Sequence, residues 1–194
     1  MVVAIVKYNA GNKRSVANAL DRLDTDWVLT DDPDVLRSAD KVVFPGVGEA
    51  SSAMNYLRER SLDGVIRSLT QPVLGICLGM QLLCESSEEN DTQCLGILPY
   101  RVKRFSGDGL KVPHMGWNAL THLSSPLFDG VPIDPYVYFV HGFYVETGPE
   151  TIAAANYGTE FSAAVQYRNF SAVQFHPEKS GAVGERILEN FLKT

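Results

Sequence analysis

The pattern of apolar positions along the chain changes near residue 95. Before that point, short apolar runs such as "VVAIVKY" and "KVVFPG" alternate with segments in which apolar residues recur every three or four positions. This alternation predicts strands and helices in turn, and therefore parallel βαβ units. After residue 95 the pattern is rich in strand signals, as in "RVKRF", "YVYFVHGFYVE", "TIAAANY", "FSAAVQYRNF" and "SAVQFH", and a helical pattern over 181–193 closes the chain.

We therefore expect an α/β fold with a doubly wound, mostly parallel central sheet, flanking helices and an additional strand-rich segment in the second half. No stretch resembles a linker, which predicts a single domain over residues 1–194. Two local expectations follow from turn-forming residues. The helical segment that starts at Glu49 should break near Asp63 and Gly64, and the polar stretch 85–93 should be a mobile loop.

Composition narrows the class of protein. A formal net charge of -6 argues against nucleic-acid binding, and the apolar stretches are far too short to cross a membrane. Cys77, Cys84 and Cys94 are odd in number and lack metal-binding spacing. We expect no disulfide, no metal site and a reducing, cytoplasmic environment.

The run "PVLGICLGMQLL" places a cysteine between two glycines where a strand passes into a helix. This G-x-C-x-G pattern is the thiol form of a nucleophile elbow, in which Gly75 and Gly79 allow a close approach of neighbouring backbone around a sharp turn. The helix start would favour the thiolate of Cys77, and the Leu78 N–H would be free to stabilise an oxyanion. The alternative is a buried structural cysteine, as expected for Cys84, but the flanking glycines favour the nucleophile.

Two further motifs complete a candidate site. In "AVQFHPEKS", His176 ends a predicted strand and Glu178 lies two residues on, so the carboxylate can orient the imidazole as a base for Cys77. In "VVFPGVGEA", the segment 46–48 follows a buried strand, and its peptide N–H groups can approach a substrate. The alternatives are a strand-end histidine with a solvated glutamate, and an ordinary strand-to-helix turn.

Together, "GICLGMQLL" and "QFHPEKS" resemble the class I (triad) glutamine amidotransferases, and "FPGVG" with "VPHMGWN" resembles the glutaminase subunits of imidazole glycerol phosphate synthase within that family. The resemblance covers nearly the whole chain. It implies hydrolysis of glutamine through a thioester on Cys77, with His176 as base and acid and Glu178 orienting it. The implied oxyanion donors are Leu78, Val47 and Gly48, and the implied substrate contacts are Gly46, Gly48 and Gln81.

The resemblance also implies a partner. Ammonia would pass to a (β/α)8 cyclase subunit in a heterodimer that makes imidazole glycerol phosphate and AICAR in histidine biosynthesis, without a cofactor. The chain alone would be nearly inactive. Asn12, Trp117, Tyr138 and Lys179 match positions at the contact with the cyclase. On residue type alone, Asn12 is better explained as a helix cap, the two aromatics as core or rim residues, and Lys179 as a solvated charge.

The chain departs from the family at "HGFYV", where relatives commonly have a small hydroxyl residue and then tyrosine. Gly142 and Phe143 thus remove possible side-chain hydrogen bonds to the substrate. His114 and His122 have no predicted partners and are expected to be structural. The competing functions are a γ-glutamyl peptidase of the same architecture, an inactive binding module, and the glutaminase of another synthase, such as that for pyridoxal phosphate.

Overall fold

The computed structural model describes residues 1–107 and 109–194. Its strands are β1 (Val2–Val6), β2 (Asp26–Thr30), β3 (Lys41–Gly46), β4 (Val73–Cys77), β5 (Ser86–Ser87), β6 (Thr92–Gln93), β7 (Arg101–Arg104), β8 (His114–Ala119), β9 (Tyr136–His141), β10 (Phe143–Val145), β11 (Thr151–Tyr157), β12 (Thr159–Tyr167) and β13 (Phe170–Val173). Its helices are α1 (Lys13–Arg22), α2 (Pro33–Ser38), α3 (Ala50–Glu59), α4 (Leu62–Arg67), α5 (Leu78–Leu83) and α6 (Gly181–Lys193).

One large sheet organises the chain, in the order β2-β1-β3-β4-β13-β12-β10-β7-β5-β6, with β11 paired to β12. The first five strands of this order are parallel, and the strand-rich second half extends the same sheet through antiparallel pairs. Strands β8 and β9 form a separate antiparallel pair. The predicted fold class is confirmed. Because β1 lies between β2 and β3, the strand order reverses there, and a crevice is expected at the carboxyl ends of these strands.

Helices cover both faces of the sheet, as a doubly wound fold requires. Apolar residues of α2, α3, α4 and α5 pack into one core cluster, and those of α1 and α6 pack into the other. The helical spacing in the sequence explains α1, whose buried residues include Val16 and Leu20. Helix α2 begins where the Asp32 side chain accepts hydrogen bonds from the N–H groups of Asp34 and Val35. Among the described residues, no helix is long and apolar enough to cross a membrane.

Of the two local expectations, the helix break is present but shifted to Ser61, and the loop over 85–93 is wrong. The helical segment breaks at Ser61, which has a φ of 55°, and Gly64 lies inside α4 rather than at the break. The stretch 85–93 contains a short hairpin in place of a loop, because β5 pairs with both β6 and β7. The hairpin is also held to α3, since Glu89 Oε2 accepts a 2.7 Å hydrogen bond from the Ala50 N–H.

A sharp turn joins β4 to α5, and glycines make it possible. Cys77 has a φ of 54° and a ψ of -107°, an unfavourable backbone conformation for a residue with a side chain. The turn brings α5 against β3 so closely that a Cβ at Gly79 would overlap with the carbonyl oxygen of Phe44. A Cβ at Gly75 would lie 2.8 Å from a methyl group of Leu83. The predicted roles of both glycines are confirmed.

The glycine contacts give a matched pair of substitutions. Gly79→Ala is expected to lower the free energy of unfolding by about 3 kcal/mol or more, because the added methyl group meets backbone that cannot move aside. Gly64→Ala is the control, since a Cβ there has no heavy atom within 4 Å. It should raise stability by about 0.4–1 kcal/mol through the unfolded chain. Urea unfolding of both variants tests this. A Gly79→Ala protein as stable as the parent would contradict the packing at the turn.

Candidate active site

Cys77 lies at the carboxyl end of β4, directly before α5 and opposite Gly46 of β3. Its side chain is buried but borders a cavity of about 260 Å³. The thiol lies 3.7 Å from the Val140 carbonyl oxygen, to which the S–H donates. Gln174 Nε2 approaches the same sulfur at 3.7 Å. The structure therefore has the strand–turn–helix geometry that the sequence predicts around Cys77.

His176 and Glu178 follow β13, the neighbour of β4 in the sheet. His176 Nδ1 donates to Glu178 Oε1 at 2.8 Å, and both side chains are fully buried. Asn12 Nδ2 donates to the same Oε1 at 2.5 Å and lies 3.2 Å from His176 Nδ1. Asn12 is at the N-cap position of α1, as predicted, but its side chain makes no cap hydrogen bond there. The Asn12 amide thus joins the His176 imidazole and the Glu178 carboxylate in one hydrogen-bonded group.

The surroundings of His176 favour its charged form. Burial by itself would lower the pKa, but the nearby Cys77 sulfur and Glu178 carboxylate more than offset burial and raise the pKa to about 10. The His176 Nε2 atom is buried and has no hydrogen-bond partner among the described residues. Catalytic hydrogen bonds are often loose before substrate binds, so we interpret the sulfur as close to Nε2 but not yet bonded to it. The arrangement therefore stabilises a protonated His176 beside the Cys77 sulfur.

The cavity beside Cys77 collects most of the predicted substrate residues. Its lining includes Val47, Gly48, Leu78, Gln81, Glu89, Gly142 and Phe143. Gly46 lies next to it, where the Tyr8 hydroxyl occupies the position of a side chain. Gly48 has a φ of 134°, which favours glycine. A larger groove of about 430 Å³ runs between α1 and β2, far in the sequence from Cys77 and His176, and has neither cysteine nor histidine in its lining.

Several residues of the site were missed from the sequence. Glu89 is the carboxylate that lines the cavity, and burial raises the pKa of its carboxyl group. Gln174 is fully buried between Cys77 and Gln81. The sequence predicts no partner for His114, but its Nδ1 lies 3.0 Å from His141 Nε2. Burial lowers the pKa of His114 to about 4 and that of His141 to about 3, so both rings are neutral near pH 7.

The predicted interface residues lie on the outer face of the β8–β9 pair and beside it. Trp117 is paired with Tyr138, and their rings meet edge to face at 5.9 Å. Trp117 is 55% exposed and the neighbouring Met115 is 63% exposed. Lys179 is exposed two residues after the buried Pro177. Tyr138 is connected to the site through its backbone, since its carbonyl oxygen accepts a 2.9 Å hydrogen bond from the His176 N–H.

Sequence comparison gives the family. The model for the family "Glutamine amidotransferase class-I" matches residues 5–194. The chain is 55% identical over 195 residues to a protein of Bacteroides fragilis (strain YCH46) named imidazole glycerol phosphate synthase subunit HisH, with all of both chains covered. A protein with the same name from Bacteroides thetaiotaomicron is 55% identical over 194 residues, with 99% of each chain covered.

Structure comparison supports the fold. A crystal structure of a putative GMP synthase protein from Thermoplasma acidophilum superimposes with a TM-score of 0.78 at 21% identity, covering 100% of this chain and 92% of that one. Among the described residues, no group of three or more histidine, cysteine, aspartate or glutamate side chains is placed to hold a metal ion.

The pKa shifts predict which imidazoles are charged. At pH 8 His176 should remain protonated, while His114 and His141 should be neutral down to about pH 5. Cys77→Ala should lower the pKa of His176, because it removes the first of the interactions that raise it. Histidine ring titrations by NMR, in the parent and in this variant, measure all of these values. A neutral His176 at pH 8 in the parent would rule out the imidazolium.

Proposed function

The chain belongs to the class I glutamine amidotransferase family, and from this membership we propose that it is the glutaminase subunit of an imidazole glycerol phosphate synthase. The observation that supports this most strongly is the Cys77 elbow, which borders the cavity and interacts with the imidazole of the buried His176–Glu178 pair. The relatives with 55% identity over the full length are named as a subunit of this synthase, and the family resemblance adds its place in histidine biosynthesis.

The site is suited to transfer of an acyl group to sulfur. The Cys77 thiolate attacks the side-chain amide carbon of glutamine, and the tetrahedral intermediate collapses when His176 Nε2 donates its proton to the leaving nitrogen. Ammonia leaves, and a γ-glutamyl thioester remains on Cys77. His176, now neutral, takes a proton from water, which attacks the thioester and releases glutamate. The net reaction is glutamine and water to glutamate and ammonia, and the fully buried Glu178 keeps the imidazole oriented throughout.

The oxyanion would be stabilised by peptide N–H groups from two loops. Leu78 starts α5 directly after the nucleophile, and the segment 46–48 faces it across the cavity. The Val47 carbonyl oxygen accepts a 3.1 Å hydrogen bond from the Gly11 N–H, so the Val47–Gly48 peptide is fixed by the segment that also carries Asn12. A trans peptide directs the Gly48 N–H opposite to that carbonyl. Movement of the segment before Asn12 would thus change the direction of the Gly48 N–H, one of the proposed oxyanion donors.

The substrate would lie across the cavity with its amide at Cys77. Gln81 Nε2 is already bonded to the Phe143 carbonyl at 3.1 Å and to Gln174 at 3.0 Å, which leaves the Gln81 carbonyl oxygen for the substrate. Glu89 provides a carboxylate for the α-ammonium group of glutamine. Gly142 and Phe143 line the cavity without the hydroxyl groups that the family resemblance leads us to expect there. Gly46 and Gly48 let the loop backbone approach the substrate.

The exposed aromatic face of β8 and β9 is the proposed docking surface for the cyclase subunit. We define this docking surface as Met115, Trp117, Tyr138 and Lys179, and Asn12 is connected to it through His176 and Glu178. It combines exposed apolar side chains with a cation, and it adjoins the backbone of His176. A partner there would receive ammonia and couple its own state to the triad. The isolated chain should be nearly inactive. The complex should need no cofactor for glutamine hydrolysis, and we expect it in the cytoplasm.

The role of Cys77 is tested by Cys77→Ala. Glutamate release from glutamine should fall by at least about a thousandfold, because the remaining groups cannot form the thioester. In the complex with the cyclase subunit, synthesis supported by ammonium salt should persist, since the ammonia-consuming reaction belongs to the partner. Coupled assays of both activities, with the parent complex as control, separate the two. Glutamine-dependent turnover in the variant would contradict the assignment of the nucleophile.

The docking surface is tested by Trp117→Glu. A charge at an aromatic anchor should weaken binding to the cyclase by at least about thirtyfold, the usual effect of losing a central interface residue. Ile133→Glu is the matched control, because Ile133 is 91% exposed but lies in the loop before β9, outside the docking surface. Titration calorimetry gives both dissociation constants. Equal affinities for the two variants would exclude this surface.

A further inference from the structure

A continuous network of buried hydrogen bonds connects an otherwise unexplained histidine pair with the sulfur of Cys77. Its members, in order, are His114, His141, the carbonyl of Phe143, Gln81, Gln174 and Cys77. The successive distances are 3.0, 2.7, 3.1, 3.0 and 3.7 Å. Gln174 is completely buried, so water does not compete for its amide. We call this set of groups the buried network.

The Phe143 carbonyl sets the direction of every hydrogen bond on the cysteine side. A carbonyl oxygen can only accept, so Gln81 must present its Nε2 group to it. The second proton of that same NH₂ group points to Gln174, which must therefore present its Oε1. The remaining end of the Gln174 amide, Nε2, faces Cys77 Sγ. Chemistry alone thus fixes which end of each amide donates and which end accepts.

The histidine side of the network reinforces this direction. His141 Nδ1 lies 2.7 Å from the same carbonyl oxygen and must carry a proton, and in the neutral ring its Nε2 accepts from His114 Nδ1. His114 is held in place by stacking on Tyr157, with ring centroids 4.0 Å apart. The carbonyl oxygen therefore receives two donors and has no capacity for a third. A reversed Gln81 amide would set oxygen against oxygen.

We propose that Gln174 is a further catalytic residue of the glutaminase reaction, whose side-chain N–H donates to the sulfur of Cys77 and stabilises the thiolate. The proposal rests on the function proposed above. In the thiol form, the Cys77 S–H donates to the Val140 carbonyl oxygen. When the proton moves to His176, that carbonyl loses its donor and faces a negative sulfur. The Gln174 N–H is already directed at the sulfur. Its hydrogen bond to the sulfur strengthens as the negative charge develops, because hydrogen bonds to ionised acceptors are stronger.

The thiolate can be measured without any turnover. Gln174→Met keeps the length and volume of the side chain but removes the donor. Gln166→Met is the matched control, since Gln166 is an exposed residue of the neighbouring strand β12. Iodoacetamide alkylation of the full-length chain is followed from pH 5 to 10, and the modified peptide containing Cys77 is quantified by mass spectrometry. No lysine or arginine lies between Arg67 and Arg101, so the three cysteines share one tryptic peptide. Fragment ions of that peptide assign the modification to Cys77 rather than to Cys84 or Cys94.

We expect Gln174→Met to move the midpoint of the Cys77 alkylation curve upward by about one pH unit, the size of a single charge-assisted hydrogen bond, and to slow alkylation about tenfold at pH values below the parent's midpoint. The glutaminase kcat in the complex should fall with little change in KM. Gln166→Met should match the parent in each measurement. A folded Gln174→Met protein with the parent's alkylation curve would overturn the proposal.

A measurement on the unsubstituted protein keeps the test valid if Gln174→Met does not fold. The side-chain ¹⁵N–H resonances of Gln174 should shift with the same pH midpoint as Cys77 alkylation, and resonances that do not respond would overturn the proposal. Failure of the proposed function would be seen separately. It would appear as absent glutamate release by the parent complex, while the difference between the two alkylation curves would still report on Gln174.

Discussion

The positive-φ turn at Cys77 is the constraint on which the site depends. Its unfavourable backbone conformation holds the thiol at the edge of the sheet, at the start of α5 and in reach of two loops. The turn persists because α5 packs directly on the backbone of β3, which only glycine at position 79 permits. The same packing sets the distance between Leu78 and the segment 46–48. Nucleophile and proposed oxyanion donors are thus positioned by one contact between a helix and a strand.

The site also requires the buried Glu178 carboxylate to receive hydrogen bonds from its neighbours. Glu178 is removed from water, and it is stabilised there by His176 and by Asn12, which come from opposite ends of the chain. The sheet brings them together, because β1 and β13 both end at the edge where β4 ends. Breaking this group would leave a buried charge without a partner, which is costly. The arrangement therefore ties the amino-terminal segment, and with it Gly11 and Val47, to the base.

What was predictable from the sequence was local. The elbow and "HPE" were recognised because each has its functional groups within a few residues, at spacings that imply one geometry. Gln174, Glu89 and the His114–His141 pair were missed because their partners are distant in the chain, and residue type alone does not reveal a contact. The helix break lies at Ser61 rather than near Asp63 and Gly64 as predicted, because glycine is compatible with a helix interior when nothing requires a turn there.

The central claim is that Cys77 carries the γ-glutamyl group during turnover. The most direct measurement is an acid quench of the chain with its cyclase partner during turnover of isotopically labelled glutamine, followed by peptide mass spectrometry. The account predicts one labelled γ-glutamyl group, which peptide fragment ions assign to Cys77 and which hydroxylamine removes as expected for a thioester. Glutamate formation with no label on Cys77, or with the label on Cys84 or Cys94, would contradict it.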